Sequence, residues 1–325
     1  MHTFILKRLG ESFLVLLVMS LLVFTGVFAI GNPVDLLISP EATAQDIQQV
    51  TQALGLDKPL WEQYFYFLKQ VLQGDLGRSF MFSTSAIELL LSRMPATLEL
   101  AIAAMLIATA LGIPLGLVAG LKADTWVGKT IMTVSILGFS LPTFWVGLVL
   151  IMFFSVELGW LPSSGRGPTS TWLGIPVSFL SWQGLQHLFL PALNLALFKM
   201  ALIIRLTRAG TQEALLQDYV KYARAKGLRA RRIIGVHVLK NIMIPIITVL
   251  GLEFGSVIAF AIVTESIFAW PGMGKLLIDS INNLDRPVIV AYLCLIVVFF
   301  VAINLLVDLA YAWLDPRVRL GASAR

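Results

Sequence analysis

Three consecutive residues, Gly128, Lys129 and Thr130, end in the way that a phosphate-binding loop ends. In a loop of the pattern GxxxxGK[ST], backbone amides and the lysine hold the phosphates of a nucleotide. The first glycine of that pattern would stand at position 123, which is occupied by Ala123, and the segment follows an apolar run rather than a strand. The sequence therefore predicts no nucleotide site in this chain.

Metal and redox chemistry also have little support. The three histidines, His2, His187 and His237, are scattered along the chain, and there is no HExxH motif. Zinc sites bring several such ligands together. Cys294 is the single cysteine, which excludes an intramolecular disulfide and a CxxC pair. We expect no metal site, no cofactor bound by this chain and no catalytic pair that would make it an enzyme.

Polar side chains inside long apolar runs could instead contact a solute that crosses a membrane. Such groups are costly in lipid, so Glu253, Ser140 and Asn194 are candidates for the lining of a translocation path. For Glu253, a structural role in which its carboxyl is hydrogen-bonded to a neighbouring helix is an equally good interpretation. Lys199 stands about a turn and a half from the end of its apolar run, so we expect its ammonium to snorkel to the membrane surface.

The polar, basic stretch from Arg205 to Asn241 is the longest connection that we place in the cytoplasm. Its segments Thr211–Asp218 and Tyr219–Lys226 favour helix, and Gly227 is placed to end a helix and let the chain turn. Two short helices outside the bilayer would form a rigid projection that a partner protein can bind. A basic segment lying on anionic lipid is the alternative that these residues leave open.

The elements that position these groups are membrane helices. Of the 325 residues, 58% are hydrophobic and 13% are charged, whereas a soluble domain has roughly 25% charged residues. A membrane helix needs about 20 mostly apolar residues, and six such runs are present. They are Ser12–Ile30, Leu100–Gly120, Thr130–Val156, Leu188–Ile204, Ile242–Thr264 and Val288–Val307.

The positions of the charges set the orientation. Most of the 24 Lys and Arg residues fall in the segments that are cytoplasmic if the N-terminus is inside. The positive-inside rule therefore places both termini in the cytoplasm. Because the net charge of +5 comes from these membrane-flanking positions, we expect no nucleic-acid partner and a lipid bilayer around the chain. The first run lacks a clean cleavage site, so we expect a retained helix rather than a signal peptide.

This orientation divides the chain into four parts. Two of the loops in the third part are external, and one is cytoplasmic. The parts are the N-terminus with the first helix (1–30), an external segment (31–99), a core with five membrane helices (100–313) and a cytoplasmic tail (314–325). The core contains the external loops 157–187 and 265–287 and the cytoplasmic loop 205–241.

Two of the external segments contain further helix candidates. In the segment 31–99, Ala44–Leu54 and Trp61–Leu72 have the apolar spacing of amphipathic helices. In the loop 265–287, Trp270 and Gly272 belong to a turn signal that is followed by a short helix candidate.

Several stretches together resemble one family, the permease subunits of binding-protein-dependent ABC importers, in the dipeptide, oligopeptide and nickel branch. The resemblance covers essentially the whole chain and looks closest to dipeptide permeases, partly through SSGRG (Ser163–Gly167). The stretches are LGLDKPLWEQY (Leu54–Tyr64), GDLGRSF (Gly74–Phe80), PATLEL (Pro95–Leu100), GIPLG (Gly112–Gly116), DYVKYARAKGL (Asp218–Leu228), TESIFAWPGMG (Thr264–Gly274) and NLLVDLAYAWLDPRVR (Asn304–Arg319).

The resemblance implies the six-helix fold of type I ABC importer permeases in a bacterial inner membrane. It implies a second, homologous permease subunit, two cytoplasmic ATPases that bind ATP and magnesium, and an external solute-binding protein. Dipeptides, oligopeptides, glutathione and nickel chelates are the implied range of solutes. By carry-over, the loop that couples the permease to the ATPases would contain Asp218, Tyr219, Ala223, Arg224, Ala225, Lys226, Gly227 and Leu228.

Two stretches depart from the family pattern. The general Glu-Ala-Ala pattern before the coupling glycine is here Lys221-Tyr222-Ala223, and the family's Pro-Gly-Asp-Pro after the first span is Gly31-Asn32-Pro33. The alternative function is a secondary transporter driven by an ion gradient. That class favours inverted repeats and paired intramembrane acids, and the sequence has no convincing repeat.

Overall fold

The structure is a computed structural model, and it describes residues 2–29 and 57–314 together with positions 45, 48, 51 and 52. The predicted helix over Ala44–Leu54 therefore lies mostly outside the described residues, as does the predicted tail after Leu314. The helices are α1 (His2–Ala29), α2 (Leu60–Gln73), α3 (Ala86–Leu121), α4 (Trp126–Ser140), α5 (Thr143–Leu150), α6 (Trp182–Leu216), α7 (Asp218–Ala225), α8 (Leu239–Ile267), α9 (Met273–Asn282) and α10 (Arg286–Leu314).

Helices long and apolar enough to cross a membrane dominate the described part of the chain. Five are continuous: α1, α3, α6, α10 and the helix that runs from Ala230 through a π-helical stretch into α8. The sixth is a bent pair formed by α4 and α5, which continues as a π-helix to Glu157. The predicted fold class, a helical polytopic membrane protein, is confirmed. The position of both termini in the cytoplasm stays a prediction.

The third predicted span, Thr130–Val156, is wrong as a continuous helix. Its two halves meet at 104°. Leu141 is extended (φ −83°, ψ 139°) because the residue before a proline is pushed out of the helical region, and Pro142 then precedes the first turn of α5. Ser140, a predicted path residue, is the last residue of α4 at this break.

The fourth predicted span, Leu188–Ile204, is too short. Helix α6 begins after Ser181, whose Oγ accepts a hydrogen bond from the Gly184 amide at 3.0 Å. It ends only at Leu216, twelve residues after the apolar run ends, because polar residues also continue a helix. The hydropathy of the sequence therefore marks the part of α6 suited to lipid and underestimates its length.

The described chain divides into two compact units. Among the described residues, unit 1 contains those up to residue 92 and 279–302, and unit 2 contains 93–278 and 303–314. In unit 1, the predicted amphipathic helix Trp61–Leu72 is confirmed as α2. Its Tyr64 hydroxyl lies 2.8 Å from the Ser20 Oγ of α1, and its ring meets Phe24 edge-on at 5.4 Å.

In unit 2, helices α3 and α6 approach each other along a glycine seam. The seam is formed by Gly112, Gly116 and Gly120 of α3 against Ile203, Thr207 and Thr211 of α6. A Cβ added at the three glycines would lie 2.9, 2.5 and 2.7 Å from the nearest carbon of α6. A larger residue would therefore push the two helices apart, as at other small-residue contacts between membrane helices.

The predicted external loop 157–187 contains a two-stranded antiparallel hairpin, with β1 (Ser170–Trp172) paired to β2 (Ile175–Val177). The turn signal around Trp270 and Gly272 leads into the short helix α9, as the sequence predicts. Both segments belong to the polar clusters described below.

Candidate functional site: the coupling helix and the polar clusters of unit 2

The candidate coupling helix α7 stands between two of the longest helices of unit 2. Helix α6 ends at Leu216, and Gln217 adopts an extended conformation (φ −71°, ψ 149°) that separates it from α7. After α7, a helical turn at Ala230–Arg232 leads through a π-helical stretch into α8. The predicted short helix before Gly227 is present as α7. A second separate short helix is not, because Thr211–Leu216 is the end of α6 and the turn after Gly227 continues into α8.

Gly227 ends this segment through its backbone conformation. Its φ of +73° lies in the left-handed region, which disfavours residues with a Cβ. The Gly227 amide donates to the Arg224 carbonyl at 2.9 Å, and the Leu228 amide donates to the Ala223 carbonyl at 3.2 Å. This is the hydrogen-bond pattern of a glycine-terminated helix. No heavy atom beyond its chain neighbours lies within 4 Å of a Cβ added at Gly227, so the requirement is conformational.

The inner face of α7 is buried against aliphatic side chains. Val220 and Ala223 are almost completely buried, and they belong to one apolar cluster with Ala214 of α6 and Ile242 and Ile246 of α8. Burial of this kind is the main source of stability for short helices, whose backbone alone is marginal. The cluster therefore fixes α7 to both of the long helices beside it.

The outer face of α7 is uncovered in this chain. The side chains of Tyr219 and Tyr222 are exposed, and the Lys226 Nζ lies 4.6 Å from the centre of the Tyr222 ring. Lys221 and Asp218 form an exposed ion pair at 2.9 Å. Arg224 and Ala225 are also exposed. Exposed tyrosines and an exposed arginine on a rigid support are residue types that protein interfaces favour.

Glu253 and Lys199 form an ion pair between α8 and α6. The Lys199 Nζ donates to Glu253 Oε2 at 2.6 Å and to Ser256 Oγ at 2.7 Å, and Ser256 Oγ lies 2.9 Å from the same carboxylate oxygen. The expectation that Lys199 snorkels is wrong. Because α6 runs on to Leu216, Lys199 stands midway along the helix, and only 6% of its surface is exposed.

The other two predicted path residues have different surroundings. Asn194 is buried, and its Nδ2 donates to Thr264 Oγ1 at 3.1 Å, while its Oδ1 accepts no hydrogen bond within the described part of the chain. Ser140 is exposed at the break after α4 and donates to the Ile136 carbonyl at 2.9 Å. The structure therefore joins Glu253 to Lys199 rather than to Asn194 or Ser140.

A buried carboxylate, Glu99 of α3, organises the predicted external loop 157–187. Its Oε2 accepts two hydrogen bonds from Arg166, the shorter at 2.6 Å. Its Oε1 accepts from the Ser178 amide and hydroxyl, both at 2.7 Å, and from the Phe179 amide at 2.9 Å. Arg166 also donates to the Pro176 carbonyl at 2.7 Å. Charge-assisted bonds of this number fix the loop to α3.

A second buried carboxylate, Glu265, organises the turn into α9. It accepts a hydrogen bond from Thr97 Oγ1 at 2.6 Å and one from the Lys275 amide at 3.0 Å. Trp270 is buried nearby, and its indole nitrogen donates to the Ala96 carbonyl at 2.8 Å. A Cβ at Gly272 would overlap the carboxylate of Glu265. The stretches PATLEL and TESIFAWPGMG thus meet in one cluster.

Sequence reasoning missed the roles of Glu99, Thr97 and Ser178. It placed Glu265 at the end of a span and expected it to pair with an arginine or cap a helix, whereas the carboxylate accepts from Thr97 and the Lys275 amide. The available signal was a carboxylate at the first turn of a membrane run, where an ionised group needs partners. Among the residues that the structure describes, no group of three or more His, Cys, Asp or Glu side chains is arranged to hold a metal ion.

Two family models match the chain. Residues 112–320 match the binding-protein-dependent transport system inner membrane component, and residues 1–101 match the N-terminal segment of such membrane components. The chain belongs to this family. It is a multi-pass protein of the bacterial inner membrane and a permease subunit of an ABC importer, and a gradient-driven transporter is not favoured.

Similar proteins match almost the whole chain. It is 40% identical to the di/tripeptide transport system permease protein DppB of Pseudomonas aeruginosa over 98% of this chain and 99% of that protein. It is 39% identical to the dipeptide permease DppB and to the glutathione permease GsiC of Escherichia coli K12, each at the same coverage. An inward-facing structure of the MetNI methionine ABC transporter matches 70% of this chain and 96% of that chain, with a TM-score of 0.56 and 15% identity. That likeness concerns the fold alone.

Proposed function

We propose that this permease imports di- and tripeptides that an external solute-binding protein delivers. In this proposal the chain pairs with a second, homologous permease, and two cytoplasmic ATPases supply the energy. The chain itself binds no cofactor and catalyses no reaction, since ATP and magnesium belong to the ATPases. Oligopeptides, glutathione and nickel chelates are competing solutes.

The observation that carries the proposal is the contrast between the two faces of α7. The inner face is fixed by Val220 and Ala223, and the outer face presents Tyr219, Tyr222 and Lys226 to solvent. A surface of this kind suits a partner that must push without deforming the segment. We infer that the ATPases bind this outer face.

The route of such a push follows from the apolar cluster. Because Ala214 belongs to α6 and Ile242 and Ile246 belong to α8, a displacement of α7 acts on both helices at once. Packed cores respond to force by moving as bodies rather than by deforming continuously. In this proposal, closure of the two ATPases around ATP moves α6 and α8 and so opens or closes the passage.

The peptide specificity rests on the relatives, which are named for dipeptides, for di- and tripeptides, and for glutathione. All three are small peptides that carry an ammonium and at least one carboxylate. Because this chain is 39–40% identical to those proteins over 98% of its length, we expect the same size class of solute. The choice among them is expected to lie largely with the solute-binding protein.

The assembly is tested by purifying the chain from native membranes in mild detergent through a tag after Arg325. We expect a second permease and ATPase subunits to co-purify, with ATP hydrolysis in the eluate. Tyr222→Ala should reduce the recovered ATPase at least severalfold, since it removes an exposed ring of α7. Trp126→Ala is the matched control, because Trp126 is also an exposed aromatic on the predicted cytoplasmic side.

The solute is tested in proteoliposomes that contain the complete importer and its binding protein. We expect ATP-dependent uptake of labelled dialanine that excess tripeptide inhibits. Stronger inhibition by glutathione or by a nickel chelate than by either peptide would replace the proposed solute class. Equal recovery of ATPase with the Tyr222→Ala and Trp126→Ala variants would instead reject α7 as the docking surface.

A further inference from the structure

The Lys199–Glu253 pair is unusual among the polar clusters of unit 2 because it lies midway along two membrane helices. Lys199 is central in α6 and Glu253 is central in α8. The carboxylates Glu99 and Glu265 are instead held by loops and helix ends through backbone amides. A pair at mid-helix does not hold a loop in place. Ionisable groups inside a membrane cost free energy, and they usually mark a functional site.

The two members of the pair differ in exposure. The Lys199 side chain is 8% exposed, whereas the Glu253 side chain is 30% exposed. Ser256 and Phe260 follow Glu253 at three and seven residues along α8, so the three lie on one side of the helix. The Phe260 ring is 66% exposed. The carboxylate therefore opens onto a surface that this chain alone does not cover.

Contact between that surface and lipid would be energetically unfavourable. A carboxylate that faces hydrocarbon carries a large cost, and the cost falls when the group faces water or polar protein. The stripe of α8 through Glu253 is therefore expected to face the aqueous passage. Phe198 and Phe260 flank the ammonium at 5.4 and 5.9 Å, which are distances at which aromatic rings attract a cation.

We propose that this ion pair is a charge-balanced solute contact in the passage. Glu253 receives the ammonium of a zwitterionic solute, and Lys199 receives its carboxylate. Separating the pair with nothing in its place would leave two uncompensated charges within the membrane, which is strongly unfavourable. A zwitterion supplies both counter-charges, so it lowers the cost of opening the pair. This inference rests on the proposed import of peptides.

The test compares uptake of three dipeptides by the complete importer in proteoliposomes: dialanine, an alanine–lysine dipeptide and an alanine–glutamate dipeptide. Each variant is measured with the same binding protein, so the preferences of that protein cancel when uptake ratios are compared. The variants are K199Q, E253Q and the double variant K199Q/E253Q. The exposed Lys122, at the end of α3, provides the control K122Q, which removes the same charge elsewhere.

K199Q leaves the charge of Glu253 uncompensated. We therefore expect the ratio of lysine-dipeptide to glutamate-dipeptide uptake to rise about fivefold or more. This factor corresponds to the interaction of two unit charges at contact distance in water. E253Q should lower the ratio by a similar factor. K199Q/E253Q should return the ratio close to that of the wild type, with slower uptake of all three dipeptides. K122Q should leave both ratio and rate unchanged.

A pair that only holds α6 against α8 would behave differently. Each single variant would then slow all three dipeptides by the same factor, with an unchanged ratio, and this result would overturn the inference alone. Recovery of the ATPases with each variant shows that it has folded and assembled. Failure of the wild type to import any of the three dipeptides would overturn the proposed function and, with it, this inference.

Discussion

The loop clusters of unit 2 and the candidate coupling helix are stabilised in opposite ways. The loop 157–187 is fixed by Glu99, whose oxygens accept hydrogen bonds from Arg166, Ser178 and Phe179. Helix α7 is fixed by Val220 and Ala223 in an aliphatic cluster, and its polar groups point outward. In the loop the charges satisfy each other within the chain. On α7 the charges and tyrosines are left available to a partner.

The difference teaches which surface is structural and which is functional. A carboxylate with five hydrogen bonds from its own chain has little capacity left for a ligand. The exposed face of α7 contributes little to folding, because solvent-exposed pairs such as Lys221–Asp218 contribute little free energy. Four substitutions test this contrast, taken from the largest expected effect to the smallest.

Glu99→Ala should cause the largest loss of stability. It leaves the Arg166 guanidinium without its carboxylate partner and the Ser178 and Phe179 amides without their acceptor, and breaking a buried ion pair costs about 3–5 kcal/mol. The measurement is the free energy of unfolding in mixed micelles. Glu157→Ala is the control, because Glu157 is an exposed carboxylate at the start of the same loop. Equal stability of the two variants would contradict the structural role of Glu99.

Val220→Ala should destabilise the chain by about 2 kcal/mol, because it removes buried methyl groups from the cluster that holds α7. Hydrogen exchange of the α7 amides should increase before exchange in the loop 157–187. Tyr222→Ala, on the outer face, should leave the free energy of unfolding unchanged. If both variants lose the same stability, the division of α7 into two faces is wrong.

Gly227→Val should cost about 1–2 kcal/mol, the penalty for a left-handed conformation in a residue with a Cβ. We expect it to uncouple ATP hydrolysis from uptake while the chain still inserts into the membrane. The rates of hydrolysis and uptake are measured together in proteoliposomes. Gly235→Val is the control, because Gly235 has equally open surroundings and no positive φ. Normal uptake by Gly227→Val would remove Gly227 from the coupling segment.

Lys221→Gln should have the smallest effect, with no measurable change in the free energy of unfolding. Its ion pair with Asp218 is exposed, and water and salt screen it. The same unfolding experiment at low and high salt is the check. A salt-dependent loss of stability would mean that charges contribute to holding α7, as they do in the loop.

Local rules predict much of this structure from the sequence. Apolar runs identify the membrane helices, and Gly227 identifies the end of α7, because each of these depends on neighbouring residues alone. The break at Pro142 is visible as a proline, but the 104° angle depends on what α5 packs against. The extension of α6 to Leu216 is missed because hydropathy measures suitability for lipid, not continuity of the helix.

The candidate sites are less predictable, since their members lie far apart in sequence. Lys199 and Glu253 are separated by 54 residues, and Glu99 and Arg166 by 67. No periodicity or spacing reports such a pairing. The sequence identifies Glu253 as a costly residue in a membrane but cannot supply its partner, so it leads to the wrong expectation for Lys199.

The glycine seam between α3 and α6 has a mechanical consequence. Side chains of Ile203, Thr207 and Thr211 fill notches at Gly112, Gly116 and Gly120, spaced by about one helical turn. Side chains that interlock in this way prevent one helix from sliding along the other by less than a full helical turn. A displacement of the C-terminal end of α6 is therefore transmitted to α3 as well, so the two helices move together as one rigid body.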